Sequence, residues 1–122
     1  MLEDALRANA IISQCLVVGD AKPFIGALIT LDPEAMPGWL ERHNLAADIP
    51  FSELSKNADL VAEIDKAVAE ANKKVSNPEQ IKKYTILEND FTVETGELTP
   101  TMKLKRNIIH TERGSDIEAI YS

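Results

Sequence analysis

Three basic side chains lie close together near the end of the chain, in types and spacing that could bind an anion. Residues 98–111 contain no aspartate or glutamate but hold Lys103, Lys105 and Arg106. The chain as a whole is acidic, with a formal net charge of −7, so the cluster stands out against its background. Ammonium and guanidinium groups suit phosphate and carboxylate oxygens. The cluster therefore predicts contact with a small phosphorylated or carboxylate ligand.

The backbone that carries these cations is predicted to be stiff. Gly96 allows a tight reversal, and Pro100 fixes its own φ angle and disfavours helix at Thr99. If the following run is extended, its side chains alternate between two faces. Met102 and Leu104 would then point to one face and the two lysines to the other.

Composition and charge exclude several classes of function. The length of 122 residues fits one domain, and no apolar run approaches the roughly 18 residues of a membrane span. Net negative charge argues against nonspecific nucleic-acid binding, because neutralising phosphates requires excess lysine and arginine. The single cysteine, Cys15, lies inside an apolar run. It is predicted to be a buried, reduced thiol in a cytoplasmic protein.

Other chemistry-bearing patterns are weak. His43 and His110 lie far apart in the sequence and have no cysteine companion, so no metal site is predicted and His43 is expected at the surface, at a helix end. Neither of the glycine-rich phosphate loops, GxGxxG or GxxxxGK[ST], occurs. The basic cluster therefore has no rival as a candidate site.

The remaining pattern predicts an α+β domain with a small, mainly antiparallel sheet flanked by helices. Residues 11–19 and 24–31 are apolar runs rich in β-branched residues, joined by a turn at Gly19, Asp20 and Pro23. They predict an antiparallel hairpin whose strands are both central in the sheet. Gly26 indicates close packing against a neighbour or a bulge. A third strand is predicted over residues 82–87.

Helices are predicted over residues 2–9, 32–43, 58–75 and 108–121, with a short helical turn from residue 51. The proposed N-terminal caps are Asp32, Ser52, and either Ser55 or Asn57. In the longest helix, one stripe is apolar and is expected to face the core: Leu60, Ile64, Val68, Ala71 and Val75.

Two of these helices contain residues that interrupt a regular helix. Pro37 and Gly38 are expected to interrupt the helix over 32–43, with Trp39 and Leu40 packing inward. The last helix is expected to break or kink at Gly114, with Ser115 as the next cap. Residues 92–97, between the third strand and the basic cluster, are predicted to form a loop or a short edge pairing.

The segment 98–106, Leu-Thr-Pro-Thr-Met-Lys-Leu-Lys-Arg, resembles the final signature of acyl-adenylate-forming enzymes, in the version found in long-chain fatty-acid–CoA ligases. Other members carry a Ser-Gly-Lys-Ile-x-Arg type sequence there, so Met102 replaces the glycine and Lys103 falls on the lysine. Residues 11–20, 24–32, 82–88 and 91–100 also resemble the matching segments of these ligases, and the resemblance covers essentially the whole chain.

The resemblance implies that residues 1–122 form a single domain, the C-terminal lid of a larger ligase. It implies a partner in the same protein, an N-terminal AMP-binding domain that holds the phosphate loop and the acyl pocket. That domain and the hinge are absent from the sequence. The chain also opens inside a helical pattern at Leu2 without a preceding cap, from which we expect that residues upstream were removed.

The reaction implied by the resemblance has two steps. A fatty-acid carboxylate attacks the α-phosphate of Mg-ATP, and the CoA thiol then attacks the acyl-adenylate. Lys103 would be the catalytic residue of the first step. Arg106 would contact phosphate or cap helix carbonyls, and Lys105 would contact the ligand or remain solvated. ATP, Mg²⁺ and CoA are expected for the full-length enzyme and none for the fragment, which is expected to be inactive alone.

Two alternatives come from other classes. A free-standing interaction or regulatory α+β module could use the basic edge to bind a protein partner. An acyl-carrier-like helical domain is disfavoured, because three apolar strands are predicted and Gly114-Ser115-Asp116 has the wrong order for an Asp-Ser attachment site. Under the ligase interpretation the partners are a fatty acid and CoA, not nucleic acid, and peripheral membrane association of the full-length enzyme is compatible with it.

Overall fold

A computed structural model describes residues 2–19 and 22–121 of the chain. Within these residues a three-stranded sheet carries helices on both faces, which confirms the predicted α+β class. In chain order the elements are α1 (Leu2–Arg7), β1 (Ile12–Val18), β2 (Ile25–Leu31), α2 (Met36–Arg42), α3 (Phe51–Leu54), α4 (Ala58–Asn72), β3 (Ile81–Leu87), α5 (Arg106–Glu112) and α6 (Gly114–Ile120).

The sheet has the order β1-β2-β3 and is mixed. β1 and β2 form the predicted antiparallel hairpin, with Leu16 opposite Leu28. β3 instead runs parallel to β2, with Thr85 opposite Leu28, where the sequence predicted a mainly antiparallel sheet. The chain between β2 and β3 forms α2, α3 and α4 before it returns. A parallel pair needs such a long crossover connection, which the intervening helices supply.

Only β2 is central, although both strands of the hairpin were predicted to be. β1 is an edge strand, and α1 covers part of its free edge. There the backbone N–H of Val17 donates to the carboxylate of Glu3 at 2.9 Å. The predicted turn after β1 includes Asp20, which lies outside the described residues.

The two faces of the sheet bury separate hydrophobic clusters, because alternate residues of β2 point to opposite sides. Ala27 and Ile29 belong to the first core, which also contains side chains of α1, α2 and α4. Leu28 belongs to the second core, which contains side chains of α5 and α6 together with Phe91 and Leu98. The basic cluster of the sequence is therefore connected to the second core.

The longest helix, α4, follows its prediction closely. The side chain of Asn57 caps it by accepting the N–H groups of Asp59 and Leu60, as one of the two proposed caps. Its apolar stripe is buried except for Val75, which lies beyond the end of the helix at Asn72.

Several predicted helix starts are wrong. Asp32 forms a turn by accepting from the N–H of Glu34, and α2 begins only at Met36. Pro37 does not interrupt α2, because in the first turn its missing N–H needs no partner. Trp39 and Leu40 are buried as predicted.

The short helix and the end of the chain also differ from prediction in their caps. Pro50, not Ser52, precedes α3. The helix predicted over 108–121 is two helices, α5 and α6, as expected from Gly114. The break lies at Arg113. This residue precedes α6, where Ser115 was predicted to be the cap. Within residues 2–19 and 22–121, no helix has the length and apolar character needed to cross a membrane.

Both interpretations of Gly26 are confirmed. The register between β2 and β3 shifts between Ile25 and Gly26. A Cβ atom at this position would lie 2.7 Å from Cγ2 of Ile120 and 3.3 Å from the backbone oxygen of Lys83. The glycine therefore allows α6 to pack directly against the sheet.

We predict that Gly26→Ala lowers the free energy of unfolding by about 1–3 kcal/mol, as overpacking of a filled core does. Gly114→Ala is the matched control, because a Cβ there would meet nothing within 4 Å. It should raise the free energy of unfolding by about 0.4–1 kcal/mol by reducing the entropy of the unfolded chain. Urea unfolding of both variants checks this, and a Gly26→Ala midpoint equal to wild type would disprove the tight contact.

Candidate functional site

The basic cluster begins on a small hairpin, residues 98–104, which we call the lysine hairpin and which carries Lys103, whereas Lys105 and Arg106 follow it. Leu98 and Leu104 form an antiparallel bridge at its base. Above them the N–H of Thr99 donates to the carbonyl of Lys103 at 2.8 Å, and the N–H of Met102 donates to the carbonyl of Thr99 at 2.8 Å. The hydroxyl of Thr99 also accepts from the N–H of Lys103 at 3.0 Å. Both the N–H and the carbonyl of Lys103 are therefore hydrogen-bonded to Thr99.

Met102 takes the conformation that closes this turn. Its φ angle is +66°, in the left-handed region that glycine adopts without strain. A three-residue hairpin loop commonly ends with a residue in this conformation. The Met102 side chain is 56% exposed, so the predicted alternation of Met102 and Leu104 on one face is wrong. A glycine, which the resembling signatures carry at this position, would adopt this φ without strain.

The base of the lysine hairpin is held by the second core. Leu98 is fully buried there and Leu104 packs against it. Gly96, with φ +80°, makes the predicted reversal before the hairpin. The carbonyl of Glu97 accepts from the N–H of Lys105 at 2.8 Å, which extends the pairing by one step below the leucines. The tip of the hairpin is thus exposed while its base is buried.

Lys103 and Lys105 are both exposed, as predicted. Within the described part of the chain their ammonium groups form no hydrogen bond or ion pair. A lysine ammonium in this situation is a compact charge that can bind phosphate or carboxylate oxygens. Lys103 is on the rigid part of the hairpin, whereas Lys105 lies between the hairpin and α5.

Arg106 differs from the two lysines because it already has an acidic partner. Its guanidinium donates to both carboxylate oxygens of Glu3, at 3.0 and 2.6 Å. It is the first residue of α5 and binds a carboxylate rather than helix carbonyls. The sequence could not reveal this pair, because the two residues are separated by 103 positions. Contact between Arg106 and phosphate stays a prediction.

Glu3 connects three elements of the fold. Burial opposes its ionisation, but hydrogen bonds from Arg106 and from the N–H of Val17 outweigh that effect. Together they hold the pKa of Glu3 below its ordinary value of 4.5. The carboxylate therefore stays charged and ties α1 to β1 and to the start of α5.

A second ion pair lies below the lysine hairpin and was also missed by sequence reasoning. The carboxylate of Glu97, 2% exposed, accepts from Nε of Arg113 at 2.9 Å and from the hydroxyl of Thr95 at 2.8 Å. No local signal in the sequence pointed to this pair, because a residue next to a buried leucine in an extended segment usually faces the opposite side. A buried carboxylate needs a partner, but the burial of Glu97 is visible only in the structure.

Cys15 and His43, the other groups considered from the sequence, lie in contacts that stabilise the fold. Cys15 is fully buried, and burial together with nearby Glu3 raises the pKa of its thiol to about 12. This thiol is therefore a poor nucleophile. His43 lies at the end of α2, as predicted, where its ring stacks on Trp39 and Nδ1 lies 3.2 Å from Asp59.

Comparison with known proteins identifies the family. The family model of the AMP-binding enzyme C-terminal domain matches residues 1–122. The chain is 57% identical over its whole length to the long-chain-fatty-acid–CoA ligase FadD15 of Mycobacterium tuberculosis. It is 36% identical over 99% of its length to the long-chain-fatty-acid–CoA ligase ACSBG2 of Gallus gallus.

The fold is also found in solved structures. The adenylation domain of a carboxylate reductase from Mycobacterium chelonae matches 98% of the chain with a TM-score of 0.74 and 26% identity, using 17% of its own length. The chain likewise spans about a fifth of the two ligases, 20% and 18% of their lengths.

From the turn geometry we predict that Met102→Gly raises the free energy of unfolding by about 0.5–1 kcal/mol. Glycine avoids a left-handed penalty of roughly 1–2 kcal/mol, and its extra entropy in the unfolded chain offsets about half of that gain. Met102→Val should be less stable than wild type by about 1 kcal/mol, because a β-branched side chain fits this φ poorly. Urea unfolding of the two variants tests the order, and a valine variant more stable than the glycine variant would contradict it.

The Glu3 network predicts a pH dependence. The pKa of Glu3 is lowered in the folded chain, so its contribution to stability is complete above the unfolded value of about 4.5 and is lost as the pH falls through the folded pKa. Glu3→Gln should therefore be less stable than wild type at pH 7, and the difference should shrink below pH about 4.5. Urea unfolding from pH 7 to pH 3 measures it. A difference that stays constant over this range would show that the charge of Glu3 does not matter.

Proposed function

The chain belongs to the family of AMP-binding enzyme C-terminal domains, and from this premise we propose that it is the lid domain of a long-chain fatty-acid–CoA ligase. The names of the two ligase relatives support this substrate class. The alternative of a free-standing interaction module is not favoured, because the family model covers every residue of the chain. The partner of the lid is then an N-terminal AMP-binding domain in the same protein.

The observation that carries the proposal is the position of Lys103. Lys103 is exposed, and its backbone N–H and carbonyl are both hydrogen-bonded to Thr99. Its ammonium group has no acidic partner among the described residues. Electrostatic catalysis works best when the charged group is placed in advance, so that little reorganisation is needed during the reaction. Lys103 satisfies this condition better than Arg106, whose charge is already bound by Glu3.

In the proposed first step, a carboxylate oxygen of the fatty acid attacks the α-phosphorus of ATP. The bond to the bridging oxygen of the β-phosphate breaks, and pyrophosphate leaves with the bonding electrons. Two anionic groups must approach each other in this step. The ammonium group of Lys103 stabilises their oxygens as they meet, without taking part in bond formation.

In the second step, the sulfur of CoA attacks the acyl carbon of the acyl-adenylate. The thiol proton passes to solvent, the acyl–oxygen bond breaks and AMP leaves with the bonding electrons. We propose that Lys103 has moved away by then, through rotation of the whole lid about the hinge. A rigid domain suits such a rotation, since the hairpin and its core would move as one body.

ATP and CoA enter this scheme as substrates. Among the described residues, no group of three His, Cys, Asp or Glu side chains is placed to hold a metal ion. Because Mg²⁺ in such enzymes is usually held by substrate phosphates with one or two carboxylates, we assign it to the nucleotide substrate.

We predict that Lys103→Ala in the full-length ligase slows acyl-adenylate formation by roughly 10²–10³-fold, the usual cost of removing one electrostatic donor. Thioester formation from supplied acyl-adenylate and CoA should change by less than about threefold, because Lys103 is outside the site in that step. Rapid-quench measurement of each half-reaction separates the two.

Lys82→Ala is the matched control, since it removes another exposed lysine from the same domain. It should leave both half-reactions at the wild-type rate. Equal losses of both half-reactions in Lys103→Ala would contradict the assigned role, and so would an unchanged rate of adenylate formation.

A further inference from the structure

The buried carboxylate of Glu97 has no part in the mechanism described so far, although its position is costly. It is 2% exposed, and removal of a carboxylate from water is unfavourable unless the charge is paired and hydrogen-bonded. Both of its oxygens have partners: one accepts from Arg113 at 2.9 Å, the other from Thr95 at 2.8 Å. A leucine or glutamine could fill the same volume without a buried charge, so the arrangement calls for an explanation.

The carboxylate joins the lysine hairpin to the two C-terminal helices. Glu97 is the residue directly before the hairpin, and Arg113 is the junction between α5 and α6. The guanidinium of Arg113 also lies 5.9 Å above the ring centre of Phe91, a buried residue of the second core. The ion pair therefore fixes the base of the hairpin to a part of the domain that is itself well packed.

The same residue also holds the two arms of the hairpin together. The backbone carbonyl of Glu97 accepts from the N–H of Lys105 at 2.8 Å, on the far side of the turn. The main chain of Glu97 thus closes the hairpin at its base. Its side chain fixes that base to Arg113. Lys103 extends from this closed unit.

We infer that Glu97, through its ion pair with Arg113, is a positioning residue for Lys103. It sets the angle at which the lysine hairpin leaves the domain, and so determines where the ammonium group arrives when the lid closes. This inference rests on the proposed role of Lys103 in adenylate formation. Small displacements of a catalytic group, on the order of 1 Å, can reduce a rate about 10²-fold.

The test is Glu97→Gln in the full-length ligase, with both half-reactions measured as before. The glutamine keeps the size of the side chain but removes the charge that binds Arg113. Acyl-adenylate formation should slow about 10–100-fold, because a displacement of the ammonium group by up to about 1 Å can cost about 10²-fold in rate. Thioester formation from supplied acyl-adenylate should stay within about twofold of wild type, because Lys103 has left the site.

A double variant separates positioning from a general effect. If Glu97 acts only through Lys103, adding Glu97→Gln to Lys103→Ala should slow adenylate formation by less than about twofold beyond Lys103→Ala alone. If the double variant loses the full product of the two single effects, Glu97 acts independently of Lys103 and the inference is wrong. Equal losses of both half-reactions in Glu97→Gln would also overturn it.

Two controls account for charge and stability. Glu70→Gln makes the same substitution in an exposed ion pair, with Lys73 at 3.1 Å, and should leave both half-reactions unchanged. Val68→Ala lowers stability in the first core, on the face of the sheet away from the lysine hairpin, and should not separate the two half-reactions. If Glu97→Gln does not fold, Arg113→Lys replaces it, because lysine keeps the positive charge but lacks the planar guanidinium whose Nε binds Glu97.

Arg113→Lys should show the same selective loss in adenylate formation, by a smaller factor of roughly 3–10-fold, because part of the ion pair remains. A wild-type rate of adenylate formation in whichever of the two single variants folds, Glu97→Gln or Arg113→Lys, would overturn the inference. The proposed function is tested separately by Lys103→Ala alone. If that variant is impaired and Glu97→Gln is not, only the positioning role fails.

Discussion

The proposed role of Lys103 depends on the tight fixation of a small hairpin to a hydrophobic core. A lysine has four rotatable bonds, so its charge is placed only as well as its backbone is held. Leu98 and Leu104 fix the base of the lysine hairpin in the second core, and hydrogen bonds to Thr99 fix the turn. The second core in turn requires α6 to lie close to the sheet, which Gly26 allows. Packing at the sheet is thereby connected to the position of Lys103.

Local signals in the sequence predicted most of the elements that supply this packing. Apolar runs rich in β-branched residues predicted the hairpin of β1 and β2. The apolar stripe predicted α4, and Asn57 was one of its two proposed caps. Non-local relations were not accessible in the same way. The parallel pairing of β3 depends on the path of the helices between it and β2, and the pair of Glu3 with Arg106 joins opposite ends of the chain.

The candidate site shows the same division between local and non-local information. The cations and the reversal at Gly96 could be read from residue types, but the left-handed conformation of Met102 could not, because methionine rarely adopts it. A glycine at position 102 would have predicted this turn, whereas a methionine did not. Among the cations, the structure separates Lys103 and Lys105, which form no ion pair within the described residues, from Arg106, which is held by Glu3. That difference depends entirely on folding.

The most direct test of the central claim is a crystal structure of the full-length ligase with a fatty acid and α,β-methylene-ATP, an analogue that cannot release pyrophosphate. We predict that Nζ of Lys103 lies within about 3 Å of an α-phosphate or carboxylate oxygen. The lysine hairpin should keep the conformation that it has in the isolated domain. A complex in which Lys103 faces solvent while a different cation binds these oxygens would contradict it.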